Sequence, residues 1–106
     1  MKNTLVSIII PCYNHGQYID EAIKSVEECQ SDDYEIIIIN DGSTDDFTNN
    51  RLIELKNEGY QVIFQENQGL GRSRNNGIKL AKGKYILPLD ADNKVTVAVA
   101  GLSLPT

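Results

Sequence analysis

Three short apolar runs, the first two rich in β-branched residues, constrain what this chain can fold into: Leu5-Val-Ser-Ile-Ile-Ile10, Tyr34-Glu-Ile-Ile-Ile-Ile39 and Lys84-Tyr-Ile-Leu-Pro-Leu89. Each is short and nearly continuous in apolar character, which is the pattern of a strand buried on both faces. Gln61-Val-Ile-Phe-Gln65 reads as a further strand. Pro11 has no N–H to extend a ladder, so the first strand is expected to end near it. Between the strands the apolar period changes to that of a helix. Tyr18, Ile19, Ala22, Ile23 and Val26 recur at helical spacing between Gln17 and Cys29, with Asn14 in the cap region. A second helix starts after Asn40-Asp-Gly-Ser-Thr-Asp45. Ser43 or Thr44 can cap it, and Asp45 and Asp46 suit the positive end of its dipole. It runs to about Glu58, where Gly59 fits a left-handed stop. Leu70, Arg74, Gly77, Ile78 and Ala81 mark one face of a third helix, with Gly83 as its expected stop.

The resulting β-α-β-α-β-α-β rhythm predicts an α/β domain with a mostly parallel sheet of about four strands and right-handed crossover helices. At 106 residues the chain is one domain, small for that class. Residues 1–94 form the expected domain. Residues 95–106 read as an atypical tail, extended or disordered, in which Val95, Val97 and Val99 alternate with Thr and Ala.

Charge and composition narrow the function. A net charge of −5 argues against a long nucleic-acid surface. No apolar run approaches the ~20 residues that span a bilayer. No signal peptide is evident at the N-terminus. Cys12 and Cys29 are far apart and lack a metal-type spacing with His15, the single histidine. Both read as reduced, partly buried thiols of a cytoplasmic protein.

Chemistry is expected where the strands end, because open parallel sheets bind ligands beyond their carboxyl edge. Four polar clusters fall there: Pro11 to His15, Asn40 to Asp45, Gln65 to Gly71 and Asp90 to Asn93. Each alone is compatible with ordinary turn chemistry. In Asp90-Ala-Asp92 an extended backbone would point both carboxylates the same way. Like charges held so close repel unless a cation or donors stand beside them, and a hard divalent ion with phosphate and water ligands would meet that need. Asp41 fits an Asx turn at a helix start equally with a carboxylate accepting donors from a base or ribose. Tyr13 fits a core-rim aromatic or a flat surface for a nucleobase. Asn14 fits a cap better than a ligand contact. Arg72 and Arg74 stand near a helix N-terminus, which already favours anions, so a phosphate or a neighbouring aspartate would compensate them.

Other sites are excluded by spacing. Gly69-Leu-Gly71 is half of a dinucleotide fingerprint, but Arg74 holds the third glycine position and the segment follows the third strand. There is no Walker A sequence, and His15 alone does not assemble a Ser-His-Asp set.

Taken together, Val6-Ser-Ile-Ile-Ile-Pro-Cys-Tyr-Asn14, Asn40-Asp-Gly-Ser-Thr-Asp45, Asn67-Gln-Gly-Leu-Gly-Arg-Ser-Arg-Asn-Asn-Gly77 and Asp90-Ala-Asp92 resemble the nucleotide-sugar half of a family two glycosyltransferase with the Rossmann-like, three-layer GT-A fold. The resemblance covers roughly residues 4–94. It implies the strand order 3-2-1-4 and a nucleoside-diphosphate sugar, usually a UDP-sugar, as donor. It also implies roles for the matching positions. Pro11 and Tyr13 would line the base and ribose pocket, and Asn14 would sit with them. Asp41 would bond the nucleobase, Arg74 would lie near the base or diphosphate, and Asp90 would approach ribose or sugar hydroxyls. Asp92 would ligate Mn²⁺ or Mg²⁺, a Lewis acid for the leaving diphosphate. The acceptor would be a glycan or lipid-linked glycan, and the full-length protein cytoplasmic or membrane-peripheral.

The chain departs from that family after Asp92, since only fourteen residues follow it. The general base and acceptor region of the family lie later, so this chain is expected to bind a nucleotide without completing efficient transfer. In the order 3-2-1-4 only the third helix covers one sheet face. The apolar first, second and fourth strands are therefore expected to leave an exposed patch and to promote self-association or a folded-back tail. Two other readings compete: a non-enzymatic nucleotide-binding module, and a phospho-receiver-like domain with Asp41 or Asp90 as acceptor. The second gives no role to Gly42-Ser-Thr44 or Arg72-Ser-Arg-Asn75.

Overall fold

A computed structural model describes residues 6–28 and 34–91. Its elements run β1 (Val6–Cys12), α1 (Gly16–Glu27), β2 (Tyr34–Asp41), α2 (Asp46–Asn57), β3 (Gln61–Gln65), α3 (Leu70–Leu80) and β4 (Tyr85–Pro88). The four strands form one parallel sheet in the order β3-β2-β1-β4, the order that the family resemblance implies. The tail at 95–106 lies outside the described residues.

Alternation along the strands divides the core in two. Val6, Ile8, Ile10 and Cys12 of β1 join Ile36 and Ile38 of β2 against Ile19, Ala22, Ile23 and Val26 of α1 and Leu52 and Leu55 of α2. Ile9, Ile37 and Ile39 face the other way, beneath α3, with Ile63 and Ala81 at the margin. The result is three layers.

Pro11 does not end β1, which continues to Cys12 beside β2. The Leu89 N–H donates to the Ile9 carbonyl at 2.9 Å, so the polar groups of Ile9 face β4. Two residues on, the missing N–H of Pro11 falls on that same side, past the last β1–β4 pair, Ile9↔Pro88. The β1–β2 ladder therefore loses nothing.

The expected exposed patch does not extend over β1 and β2. Ile9, Ile37 and Ile39 are fully buried, so β1 and β2 are covered on both faces. Gly77 explains how one helix suffices: a Cβ there would lie 2.5 Å from Ile9 Cγ2, so α3 settles directly onto the sheet. Exposed apolar side chains remain on β4 (Tyr85, Ile86) and on α3 (Leu70, Ile78, Leu80).

Two helix ends differ from expectation. Asp45, not Ser43 or Thr44, caps α2, its Oδ2 accepting the Thr48 N–H at 3.2 Å. Gly83 does not stop α3, which ends at Leu80. Gly83 instead lies against β1, where an added Cβ would approach Ser7 N to 2.6 Å, and its N–H donates to Ser7 Oγ. Gly59 behaves as expected, with φ +107° just past α2.

Candidate functional site

The carboxyl ends of β1, β2 and the segment after β4 open onto a cleft of about 210 Å³. Pro11, Tyr13, Asp41 and Asp90 line it together, joined by Cys12, His15, Leu70, Ser73 and Ala91. Four of the residues singled out by sequence thus share one wall, because the order β3-β2-β1-β4 sets their strand ends side by side. Tyr13 keeps nearly half of its surface exposed, a flat ring at the rim rather than a core aromatic. His15 meets Tyr18 edge-on at 5.8 Å between ring centroids.

Asp41 is the most constrained group. It is buried, with 4% of its surface exposed, and lies on the α3 face of the sheet directly opposite Gln65 in the β2–β3 register. It is no Asx-turn residue; that work falls to Asn40, whose Oδ1 accepts the Ser43 N–H at 3.1 Å. Asp41 Oδ1 accepts from the Gln68 N–H at 2.7 Å and Gln65 Nε2 at 2.9 Å. Its Oδ2 accepts the Gly69 N–H at 3.0 Å, with Asn67 Nδ2 at a long 3.4 Å. Burial pushes the Asp41 carboxyl up, but the donors from Gln65, Gln68, Gly69 and Ser73 outweigh it and hold the group below its ordinary range. The carboxylate therefore folds the β3–α3 loop around itself while staying charged.

Arg74 reaches the same region from the second turn of α3. Its Nη2 donates to Asp90 Oδ1 at 2.9 Å, so of the phosphate or neighbouring aspartate expected to compensate it, an aspartate is in place. Arg74 Nε is buried and has no hydrogen-bond partner among the described residues. Arg74 itself is not on the cleft wall, and Arg72 is exposed.

His15, not Asn14, is the N-cap of α1. Asn14 sits at φ +56°, a left-handed conformation that asparagine tolerates. Its Oδ1 accepts the N–H groups of Thr44 (2.8 Å) and Asp45 (3.0 Å), and its Nδ2 donates to Thr44 Oγ1. It clamps the β2–α2 loop to the end of β1 and does not line the cleft.

Strand β4 ends at Pro88, and Ala91 already lies in a turn. The expected extended geometry through Asp90 and Asp92 involves Asp92, which lies outside the described residues. Among the described residues no three His, Cys, Asp or Glu side chains cluster as a metal site. Cys12 is a free, buried thiol, pushed up to about 11 by burial against a smaller opposing hydrogen bond from the His15 backbone. It stays a neutral wall group at pH 7. Gln65 and Ser73 were missed as individual residues. The usable signal for Gln65 was its place at the end of β3, on the face that alternation shares with Asp41.

Comparison with known proteins agrees with this geometry. The family model described as Glycosyl transferase family 2 matches residues 7–98. The chain is 43% identical over 93 residues to an uncharacterised glycosyltransferase of Rickettsia conorii, covering 88% of this chain and 15% of that protein. It is 37% identical over 92 residues to the poly-β-1,6-N-acetyl-D-glucosamine synthase of Staphylococcus aureus, covering 85% and 22%. Among solved structures, residues 1–349 of S. aureus TarS in complex with UDP superpose with a TM-score of 0.76 at 28% identity, covering 89% of this chain and 29% of that one. The chain thus spans less than a third of each of these proteins.

Proposed function

This chain belongs to glycosyl transferase family 2, and on that premise we propose that its cleft binds the nucleotide of a nucleoside-diphosphate sugar, a UDP-sugar in the first instance. The sugar would pass to an acceptor glycan or lipid-linked glycan. The carrying observation is the meeting of Pro11, Tyr13, Asp41 and Asp90 on one cleft wall at the carboxyl edge of the sheet. The UDP complex of TarS and the polysaccharide product named for the S. aureus synthase support the donor and acceptor classes.

In this reading Pro11 and the exposed ring of Tyr13 flank base and ribose. Asp41 accepts a base N–H. Asp90, steadied by Arg74, turns to ribose or sugar hydroxyls. The unpartnered Nε of Arg74 supports a nearby acceptor atom such as a base carbonyl or phosphate oxygen. Asn14 contributes by holding the two loops together rather than by touching the ligand.

The donor set fits a hard divalent ion. Such an ion takes one or two carboxylates and fills its remaining positions with water and phosphate oxygens. Asp90 supplies a half-exposed carboxylate at the cleft, already charge-balanced on one oxygen by Arg74. Asp92 would hold Mn²⁺ or Mg²⁺, which supplies Lewis-acid stabilisation of the leaving diphosphate.

A cytoplasmic, membrane-peripheral location belongs to the same proposal. Among the described residues no helix is long and apolar enough to cross a membrane. Pairing of two copies through the exposed side chains of β4 and α3 is a further part of the reading, and light scattering checks it: a monomer at all concentrations removes it.

Calorimetry with UDP, with and without Mn²⁺, tests the central claim. UDP binding should strengthen with Mn²⁺, and that gain should vanish in Asp92→Ala. A folded chain that ignores UDP in the presence of Mn²⁺ refutes the reading.

A further inference from the structure

Charge is segregated across the three layers. From N-cap to C-cap, α1 and α2 carry eight acids against the three bases Lys24, Arg51 and Lys56. Between Glu66 and Asp90 the chain carries five bases and no acid: Arg72, Arg74, Lys79, Lys82 and Lys84. That stretch holds α3, on the opposite side of the sheet from α1 and α2. Two of its charges are engaged: Arg74 pairs with Asp90, and the Lys82 charge acts on Glu35. Arg72, Lys79 and Lys84 are exposed and form no ion pair among the described residues.

A charge run on a helix is ordinarily a solvated face, but here apolar side chains are interleaved with it. Ser73 and Gly77 turn α3 toward the sheet, so Arg72, Asn75 and Lys79, at i, i+3 and i+7, run along its outer side. Ile78 stands beside them, 44% exposed, and Leu80 ends the helix, 47% exposed. Ile86 pairs with Ser7 in the β1–β4 register, so it shares the face of Ile9 and looks to the α3 side. It too is exposed.

We propose that the α3 side of the domain is a docking surface for an anionic phospholipid bilayer, where Arg72, Lys79 and Lys84 meet headgroup phosphates and Ile78, Leu80 and Ile86 enter the headgroup layer. This rests on the membrane-peripheral reading and gives it a surface; it does not depend on the nucleotide. Each unpaired base near an anionic surface is worth about fivefold in partitioning. The acidic helices do not cancel this gain. The shortest extent of the domain is 24 Å, whereas surface fields decay over ~10 Å at ~0.1 M salt, so α1 and α2 face bulk water. Pairing of two copies through the same side chains would bring like charges together, while lipid supplies the opposite charge. Leu70 and Ser73, in the first turn of α3, also line the cleft. Docking by this face therefore holds the cleft mouth beside the bilayer, where a lipid-linked acceptor would lie.

The test is co-sedimentation of the whole chain with vesicles of phosphatidylcholine alone and of equal parts phosphatidylcholine and phosphatidylglycerol. The parent should bind the mixed vesicles at ~0.1 M salt, ignore the neutral ones, and be released at ~0.5 M salt. Lys79→Glu with Lys84→Glu should weaken binding about tenfold or more, and Ile78→Ser about threefold. Lys24→Glu with Lys56→Glu changes net charge equally on the far side, and should alter binding by less than about twofold. Thermal melting establishes that each variant is folded. Should the α3-side reversal unfold, Lys79→Gln with Lys84→Gln takes its place, with an expected loss of about fivefold or more. A folded parent that ignores mixed vesicles, whether as a monomer or as paired copies, overturns this inference and the membrane-peripheral reading together. Equal losses in the two charge-reversal pairs, or none in the α3-side variants, overturn the inference and leave a peripheral location through another surface. UDP calorimetry on the same preparations scores the nucleotide reading separately.

Discussion

Arg74 Nη2 and Asp90 Oδ1 stand 2.9 Å apart across the gap between α3 and the end of β4, and both side chains remain more than a third exposed. An ion pair that wet contributes little to folding, on the order of 0–1 kcal/mol. The burial of Arg74 Nε without a partner opposes even that. The pair is better explained by ligand binding than by stability. Arg74→Met should therefore shift unfolding free energy by less than about 1 kcal/mol, yet weaken UDP binding about tenfold through the lost charge-assisted bond. Urea unfolding and calorimetry on the same preparation separate the two effects. A large stability loss with unchanged UDP affinity would reverse the assignment.

Gly77→Ala sets two effects against each other. Alanine in a helix gains about 1 kcal/mol over glycine. Here, however, the new methyl would lie 2.5 Å from Ile9 Cγ2 and 3.3 Å from Ile9 Cδ1. Ile9 is fully buried in the central strand, and its branched side chain is stiff at χ1, so it cannot yield cheaply. Overpacking of this kind costs about 1–3 kcal/mol, and the clash wins. The double variant with Ile9→Ala should lose less than the sum of the two single losses, since the truncation removes the atom that is struck. Strict additivity in denaturant unfolding would show that the contact is not the cause.

The succession of strands and helices was legible because each segment's period agrees with its place in the fold, whereas the strand order was implied by the family resemblance. β3 occupies Gln61–Gln65, as read from the sequence, and the polar edge collects where the strands end. What was not legible depends on contacts between segments far apart in the chain. Pro11 reads locally as a strand end, and only the position of β4 reveals that its missing N–H faces no paired residue. Gly83 reads as a helix stop, but its small size serves the approach to Ser7, 76 residues away. Asn14 reads as a cap because its bonds to Thr44 and Asp45 span some 30 residues. Asp41 stood out in the sequence as a candidate. Its tie to Gln65 requires the β2–β3 register, which alternation and strand order imply together but neither implies alone.

Glu35 provides the pH dependence. It accepts from Ser7 Oγ at 2.6 Å, the Lys82 N–H at 2.6 Å and Gln61 Nε2 at 3.1 Å, tying the α3–β4 connection to β1, β2 and β3. Burial raises its pKa, but these donors and the Lys82 charge together hold it below the ordinary carboxylate value of 4.5. Asp41 is shifted in the same direction. A folded-state pKa below the unfolded one means that the unfolded chain binds more protons as pH falls. The stabilisation is therefore complete above about pH 5 and is lost as pH drops through the folded pKa. Urea unfolding at pH 7, 5, 4 and 3 should show a plateau and then a decline. Glu35→Gln should begin lower at pH 7 and decline less steeply between pH 5 and 3; parallel curves would show that Glu35 is not a source of the dependence.

The last expectation concerns Thr48, which is fully buried where α1 meets α2. Its Oγ1 accepts the Gly16 N–H at 2.9 Å and donates to Asp45 Oδ2 at 2.7 Å. One hydroxyl thus satisfies an orphan donor in the first turn of α1 and steadies the N-cap of α2. Thr48→Val keeps shape and volume but removes both bonds, leaving the Gly16 N–H buried without an acceptor. The penalty for such an unsatisfied donor is about 1–3 kcal/mol. Thr48→Ser retains the hydroxyl and gives up only a methyl, a loss of about 1 kcal/mol. Valine should therefore destabilise more than serine, although valine is the better match in volume. The opposite ranking in thermal or urea unfolding would mean that packing of the methyl, rather than the shared hydroxyl, joins the two helices.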